Sequence, residues 1–162
     1  MWRPDTLAEA ARRIDAGEDE GMTLAELLDE FYLALMRRGR AAAQACIDEE
    51  PSALADPISH AYLGAVGEHL ALRWGLGVPG WTDHPSRFLK RPYFTANGLD
   101  GLKAAYLAQS PTAFRRRLIF TEAEPLRRAR LPRRHDGRAL DSCEIGDHGT
   151  GRTYRPSMMT DR

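Results

Sequence analysis

The sequence predicts an all-α fold: a compact multi-helix domain with a long central helix and an irregular Trp/Pro-rich loop beside it. Three observations carry that expectation. Helix-start signals recur as Thr6-Leu7-Ala8-Glu9, Thr23-Leu24-Ala25-Glu26 and Asp56-Pro57. Apolar residues return at helical spacing after each of them, and no stretch of four or more residues alternates as a half-buried strand would. With 162 residues, 43% hydrophobic and 28% charged, the chain also holds enough apolar material for one packed core.

The elements follow in order. Thr6 and Glu9 form a capping box, in which the hydroxyl accepts from the third helical N–H and the carboxylate reaches back. Leu7, Ala10, Ala11 and Ile14 then share one face, and Gly17 is the stop. The second box, at Thr23, opens the most regular helix, with Leu24, Leu27, Leu28, Phe31 and Leu35 as a narrow apolar stripe. A break is expected over Arg37–Arg40, and a short helix over Ala41–Ile47 ends before Pro51. Asp56 as N-cap and Pro57 at the first helical position start the central helix, which runs to about Trp74 before Gly75-Leu76-Gly77. Gly64, Gly67 and Ala71 lie on one arc of it with His60, where another backbone is expected to approach closely.

From Val78 to Asn97 the period is lost. Pro79-Gly80-Trp81-Thr82-Asp83-His84-Pro85 reads as an ordered loop, and Pro85–Leu89 as a single turn. Short helices are expected at Leu99–Ala108, after Ser110-Pro111, and from Glu124-Pro125 to about Arg130. The helical domain spans residues 1–131. Residues 132–162, rich in Gly, Arg, Asp and Ser, read as a disordered or loosely attached tail.

Formal net charge is zero, yet the distribution is graded. Residues 1–60 carry 6 basic and 13 acidic groups, residues 61–110 carry 5 and 3, and residues 111–162 carry 12 and 7. The acidic front and basic back either pair within the fold or offer one face to an oppositely charged partner. No apolar run approaches the length of a membrane span, and Met1-Trp2-Arg3-Pro4-Asp5 lacks the apolar block of a signal peptide. The expected location is the cytoplasm. Cys46 and Cys143 are too few for a disulfide framework or a four-cysteine zinc site.

Metal binding would have to draw on His60, Glu68, His69 and His84, with Asp83 nearby. His60 and His69 are nine positions apart, about half a turn out of phase at roughly 100° per residue. No His-Glu-x-x-His pattern is present, and His69 falls among the apolar side chains of its helix. A metal-dependent hydrolase is therefore the third reading, and no cofactor is expected. There is no Gly-x-Ser-x-Gly and no phosphate loop after a strand, so an enzyme is not expected. Arg115-Arg116-Arg117 is the densest basic feature, but three consecutive helical residues span about 200° and cannot all face one way. They dress a solvated helix, with Phe114 and Leu118 inward, or form an ion-pairing or phosphate-contacting surface together with Arg127, Arg128 and Arg130. Trp81 is either a plug over the core or an interface anchor. Direct DNA binding by the acidic N-terminal helix pair is disfavoured, because it would repel phosphates. A DNA-associated regulator using the basic C-terminal half is the second reading.

Four segments carry a resemblance: Ala61-Tyr62-Leu63-Gly64-Ala65-Val66-Gly67-Glu68-His69-Leu70-Ala71, Val78-Pro79-Gly80-Trp81-Thr82, Pro85-Ser86-Arg87-Phe88-Leu89, and Ser110 through Phe120. Over roughly residues 5–131 the chain resembles an uncharacterised bacterial family of small helical proteins, whose genes often sit beside those of nucleotidyltransferase-type toxins. The resemblance implies an antitoxin-like, non-enzymatic protein-binding module with a partner encoded nearby. Trp81, Arg115, Arg116 and Arg117 are the expected partner-binding residues.

Overall fold

The computed structural model describes residues 2–129, apart from Asn97 and Leu99. The tail expected over 132–162, Cys143 and Arg130 lie outside the described residues. Within them the chain is mostly helical, with α1 (Leu7–Asp15), α2 (Glu20–Arg38), α3 (Arg40–Asp48) and α4 (Pro57–Trp74) forming the body. No helix among the described residues is long and apolar enough to cross a membrane.

The caps decide where these helices begin. Thr6 Oγ1 accepts from the Glu9 N–H at 3.1 Å, while the Glu9 carboxylate, expected to reach back to Thr6, takes Arg12 and Arg13 one turn on; Gly17 follows the helix end with φ +97°. The second box does not open α2. Asp19 does, its carboxylate accepting from the Met22 N–H at 2.8 Å. An aspartate N-cap satisfies an orphan N–H and also places negative charge at the positive end of the helix dipole. Starting there leaves Thr23 inside the helix, 2% exposed. Gly39 (φ +84°) separates α2 from α3. Asp56 caps α4 by accepting from the Ser59 N–H at 2.8 Å, and Gly75 closes it in the left-handed conformation.

Helix α4 is buried nearly all round and is the centre of the domain. Leu63, Val66 and Leu70 pack with Leu7, Leu27, Phe31 and Tyr32 in a single core. Short 3-10 turns at Gly80–Asp83 and Pro85–Arg87 then cross its small-residue arc. What approaches Gly64 and Gly67 is not another backbone, as expected, but the side chains of Arg87, Arg117 and Trp81.

Beyond the loop come β1 (Tyr93–Phe94), α5 (Lys103–Gln109), α6 (Thr112–Arg115) and β2 (Ile119–Phe120). The two strands pair in parallel, Tyr93 with Ile119 and Phe94 with Phe120. Leu118, at φ +60°, turns the chain from α6 into this pairing. The helix expected after Pro125 does not form. Tyr32 Oη donates to the Leu126 carbonyl at 2.9 Å, Arg128 grips Asp29 at 3.0 and 3.1 Å, and Arg73 meets Glu124 at 3.1 Å. These tertiary bonds outweigh a single helical turn, whose nucleation is unfavourable by itself. Burial pushes the Tyr32 hydroxyl up to about 12.

Candidate functional site

The chemistry-bearing residues gather where α4, the Trp81 loop and the end of α6 meet. Glu68, on the small-residue side of α4, is 4% exposed. A lone buried carboxylate would be costly, and here two arginines answer it. Arg116 Nη1 donates to Glu68 Oε1 at 2.8 Å, and Arg117 Nη1 donates to Glu68 Oε2. Arg117 also donates to the carbonyls of Ala113 (2.7 Å) and Thr82 (2.6 Å). Arg116 spans outward to Asp83 Oδ1 at 2.8 Å. The ring of Phe88 lies under both guanidinium groups, 5.4 Å from Arg116 and 4.8 Å from Arg117. Burial pushes Arg117 below the ordinary guanidinium range, while Glu68 acts against that shift.

The expected three-arginine surface is therefore corrected. Arg117 is 0% exposed and faces the core beside Phe114; it serves the interior and offers nothing to solvent. Leu118, expected inward, is half-buried. Arg116 is 42% exposed, with both ends of its guanidinium engaged. Arg115 is exposed, donating to the carbonyls of Ala108 (3.2 Å) and Ser110 (2.8 Å) at the end of α5. The physical reason is the break in α6, which is helical only over Thr112–Arg115. Past that point the spacing of an extended helix no longer sets side-chain direction.

Trp81 is half-buried and closes over α4. Its indole N–H donates to the Ile47 carbonyl at 3.1 Å, and Arg87 stacks on its ring at 4.7 Å. A Cβ at Gly67 would lie 2.6 Å from the ring, so only glycine admits the indole there.

Arg87 was not singled out by the sequence, yet it is 1% exposed. Its guanidinium donates to the carbonyls of Pro51 (2.7 Å) and His60 (3.3 Å) and lies 3.7 Å from Glu50. The available signal was the glycine arc itself, since a missing Cβ leaves room for a long side chain as readily as for a backbone.

The four residues named as a weak metal set divide. His60 Nδ1 faces two donors, the Leu54 N–H and Arg87 Nη1, both at 3.4 Å. It must accept, which assigns the proton to Nε2, facing Ser86 Oγ at 3.1 Å. The Ser86 hydroxyl in turn donates to His84 Nδ1 at 2.7 Å. His60 and His84 thus meet through Ser86, while Glu68 is taken by arginines. His69 sits half-buried, edge-on to Phe114 at 5.7 Å. Burial holds His60 below the ordinary imidazole range and takes His69 down to about 4. Among the described residues no three His, Cys, Asp or Glu side chains are grouped to hold a metal ion.

The charge gradient is resolved in part by pairing. Asp29 meets Arg128, and Glu50 meets Arg87, joining the acidic front to the basic back. Around α5 the pattern differs. None of its residues is buried, and Leu102 and Leu107 are 41% and 49% exposed. Lys90, Arg91, Lys103 and Arg115 are exposed in the same half of the chain. No family model, curated protein or solved structure matches this chain.

Proposed function

We propose that the chain is a non-enzymatic protein-binding module that acts as an antitoxin, neutralising a nucleotidyltransferase-type partner by covering part of its surface. The observation that carries this reading is the engagement of the groups capable of chemistry. Glu68 is held by Arg116 and Arg117, and His60 by Ser86 and Arg87. These contacts position a surface and leave no converging set of free reactive groups among them. The solvent-facing side chains nearby suit recognition instead. Arg115, the outer edge of Arg116 and the exposed part of Trp81 combine cation and aromatic, the residue types that dominate interface energetics. Arg117 supports that edge from beneath, as a positioning residue.

The test is co-expression with the product of the adjacent gene, followed by co-purification. A stoichiometric complex is expected, together with rescue of growth if the neighbour is toxic. Arg115→Glu reverses an exposed charge of that surface and is expected to weaken the complex, with the thermal midpoint little changed. The absence of a complex removes the reading, and a complex indifferent to Arg115→Glu removes the surface. Salt-steep binding to promoter DNA by the chain alone would favour the DNA-associated alternative.

A further inference from the structure

A groove of about 540 Å³ that does not include Glu68 opens between the N-terminal halves of α2 and α4. Its lining is mixed, with Leu24, Leu28, Ile58, Tyr62, Tyr93 and Leu126 as the apolar part. Its volume falls in the range of sites that hold a small ligand or a few peptide residues. Acidic groups stand at the helix ends. Glu20 Oε2 and Asp56 Oδ2 lie 2.6 and 2.8 Å from the same Ser59 hydroxyl. One hydroxyl has one proton, so one of those carboxylate oxygens is left without it. Glu18 and Asp19 are exposed just before Glu20. Of the two arginines in the lining, Arg128 is committed to Asp29, which leaves Arg127.

We infer that this groove is a docking site for a basic, proline-containing peptide segment, and that its occupant is the chain's own Arg130-Leu131-Pro132-Arg133-Arg134. Two observations select that occupant. The first is position: Pro125–Arg128 already line the groove, so the segment starts two residues past its rim. At about 3.4 Å per residue, five residues reach about 17 Å. The second is complementarity. The segment offers three guanidinium groups to the Glu20 and Asp56 end, and Leu131 to the apolar part of the lining. Pro132 has no N–H to leave unsatisfied and fixes its φ, which lowers the entropy lost on docking. A partner's segment of the same chemistry would have to displace this one. The inference is independent of the antitoxin reading.

Trypsin digestion of the full chain tests it, because cleavage tracks the population in which a bond is free. The bonds after Arg133 and Arg134 are followed by mass spectrometry against the bond after Arg152, each rate normalised to the same bond in a free synthetic peptide. The expected result is protection of the first two by about tenfold or more, lost in Glu20→Lys and reduced at about 1 M salt. Leu131→Asp alters no described residue and is expected to remove the protection too, so the test survives if Glu20→Lys fails to fold. Equal normalised rates in the unaltered chain overturn the inference, as does protection that persists in Leu131→Asp. Protection that grows with protein concentration would assign the groove to the segment of a second copy and overturn occupancy within one chain.

Discussion

Glu68 and Arg117, 49 positions apart, meet as an ion pair in the interior of the domain, with side chains 5% and 0% exposed. The pair joins the central helix to the chain beyond α6. Through Arg117 it also holds the carbonyl of Thr82, and so the Trp81 loop. Three pieces of chain distant in sequence depend on one carboxylate.

Removing one partner of that pair is expected to be severe. Glu68→Gln keeps the shape but leaves Arg117 charged and buried, at an expected cost of about 3–5 kcal/mol in chemical denaturation. Glu68→Leu combined with Arg117→Met should recover much of the loss, because an apolar pair of similar volume carries no desolvation penalty. A double variant as unstable as the sum of its single changes would refute the pairing.

Gly67→Ala sets two effects against each other. Alanine in place of a helical glycine favours folding by about 1 kcal/mol. The added Cβ, however, would lie 2.6 Å from the Trp81 ring, and forced overpacking costs about 1–3 kcal/mol. The steric term should win. The expected outcome is a lower denaturation midpoint with a red-shifted tryptophan emission as the indole leaves its seat.

Asp19→Ala removes the observed cap of α2 and is expected to cost about 1 kcal/mol. The carboxylate accepts from the Met22 N–H, so the loss should appear as a lower midpoint in chemical denaturation. An Asp19→Ala chain as stable as the parent would return the helix start to Thr23.

Acid should destabilise the fold through His69. Its folded value is about 4 against an ordinary 6.5, because burial disfavours the charged ring. Between those values the unfolded chain binds a proton that the folded one does not, so stability falls as pH drops through that window and is regained as pH rises. The full effect is up to about 3 kcal/mol. His69→Leu should flatten that part of the pH–stability curve, while His60, shifted in the same direction, keeps a smaller slope. An unchanged curve in His69→Leu would show the ring to be solvated.

Local signals were legible because their causes are local. The Thr6 cap, the Asp56-Pro57 start and the Gly75 stop each act within one turn of helix, and all three stand where the sequence places them. The apolar spread over Ile58–Trp74 marked the central helix for the same reason, since an element apolar nearly all round must be covered on all sides. The glycine arc was visible as a place of close approach, but not what approaches it. Side-chain reach depends on where a distant loop crosses, and no periodicity encodes that crossing.

By itself, then, the sequence determined an all-α domain, its central helix and the irregular loop around Trp81. Only the tertiary structure decided that Asp19 rather than Thr23 starts α2, that Arg115, Arg116 and Arg117 point to three different environments, and that Glu68 is a structural counter-charge. Helix propensity and capping are set by neighbours within about four residues. The fate of a charge is set by its solvation and by partners that folding brings from tens of residues away, so the same arginine reads as surface in sequence and lies at the core in space.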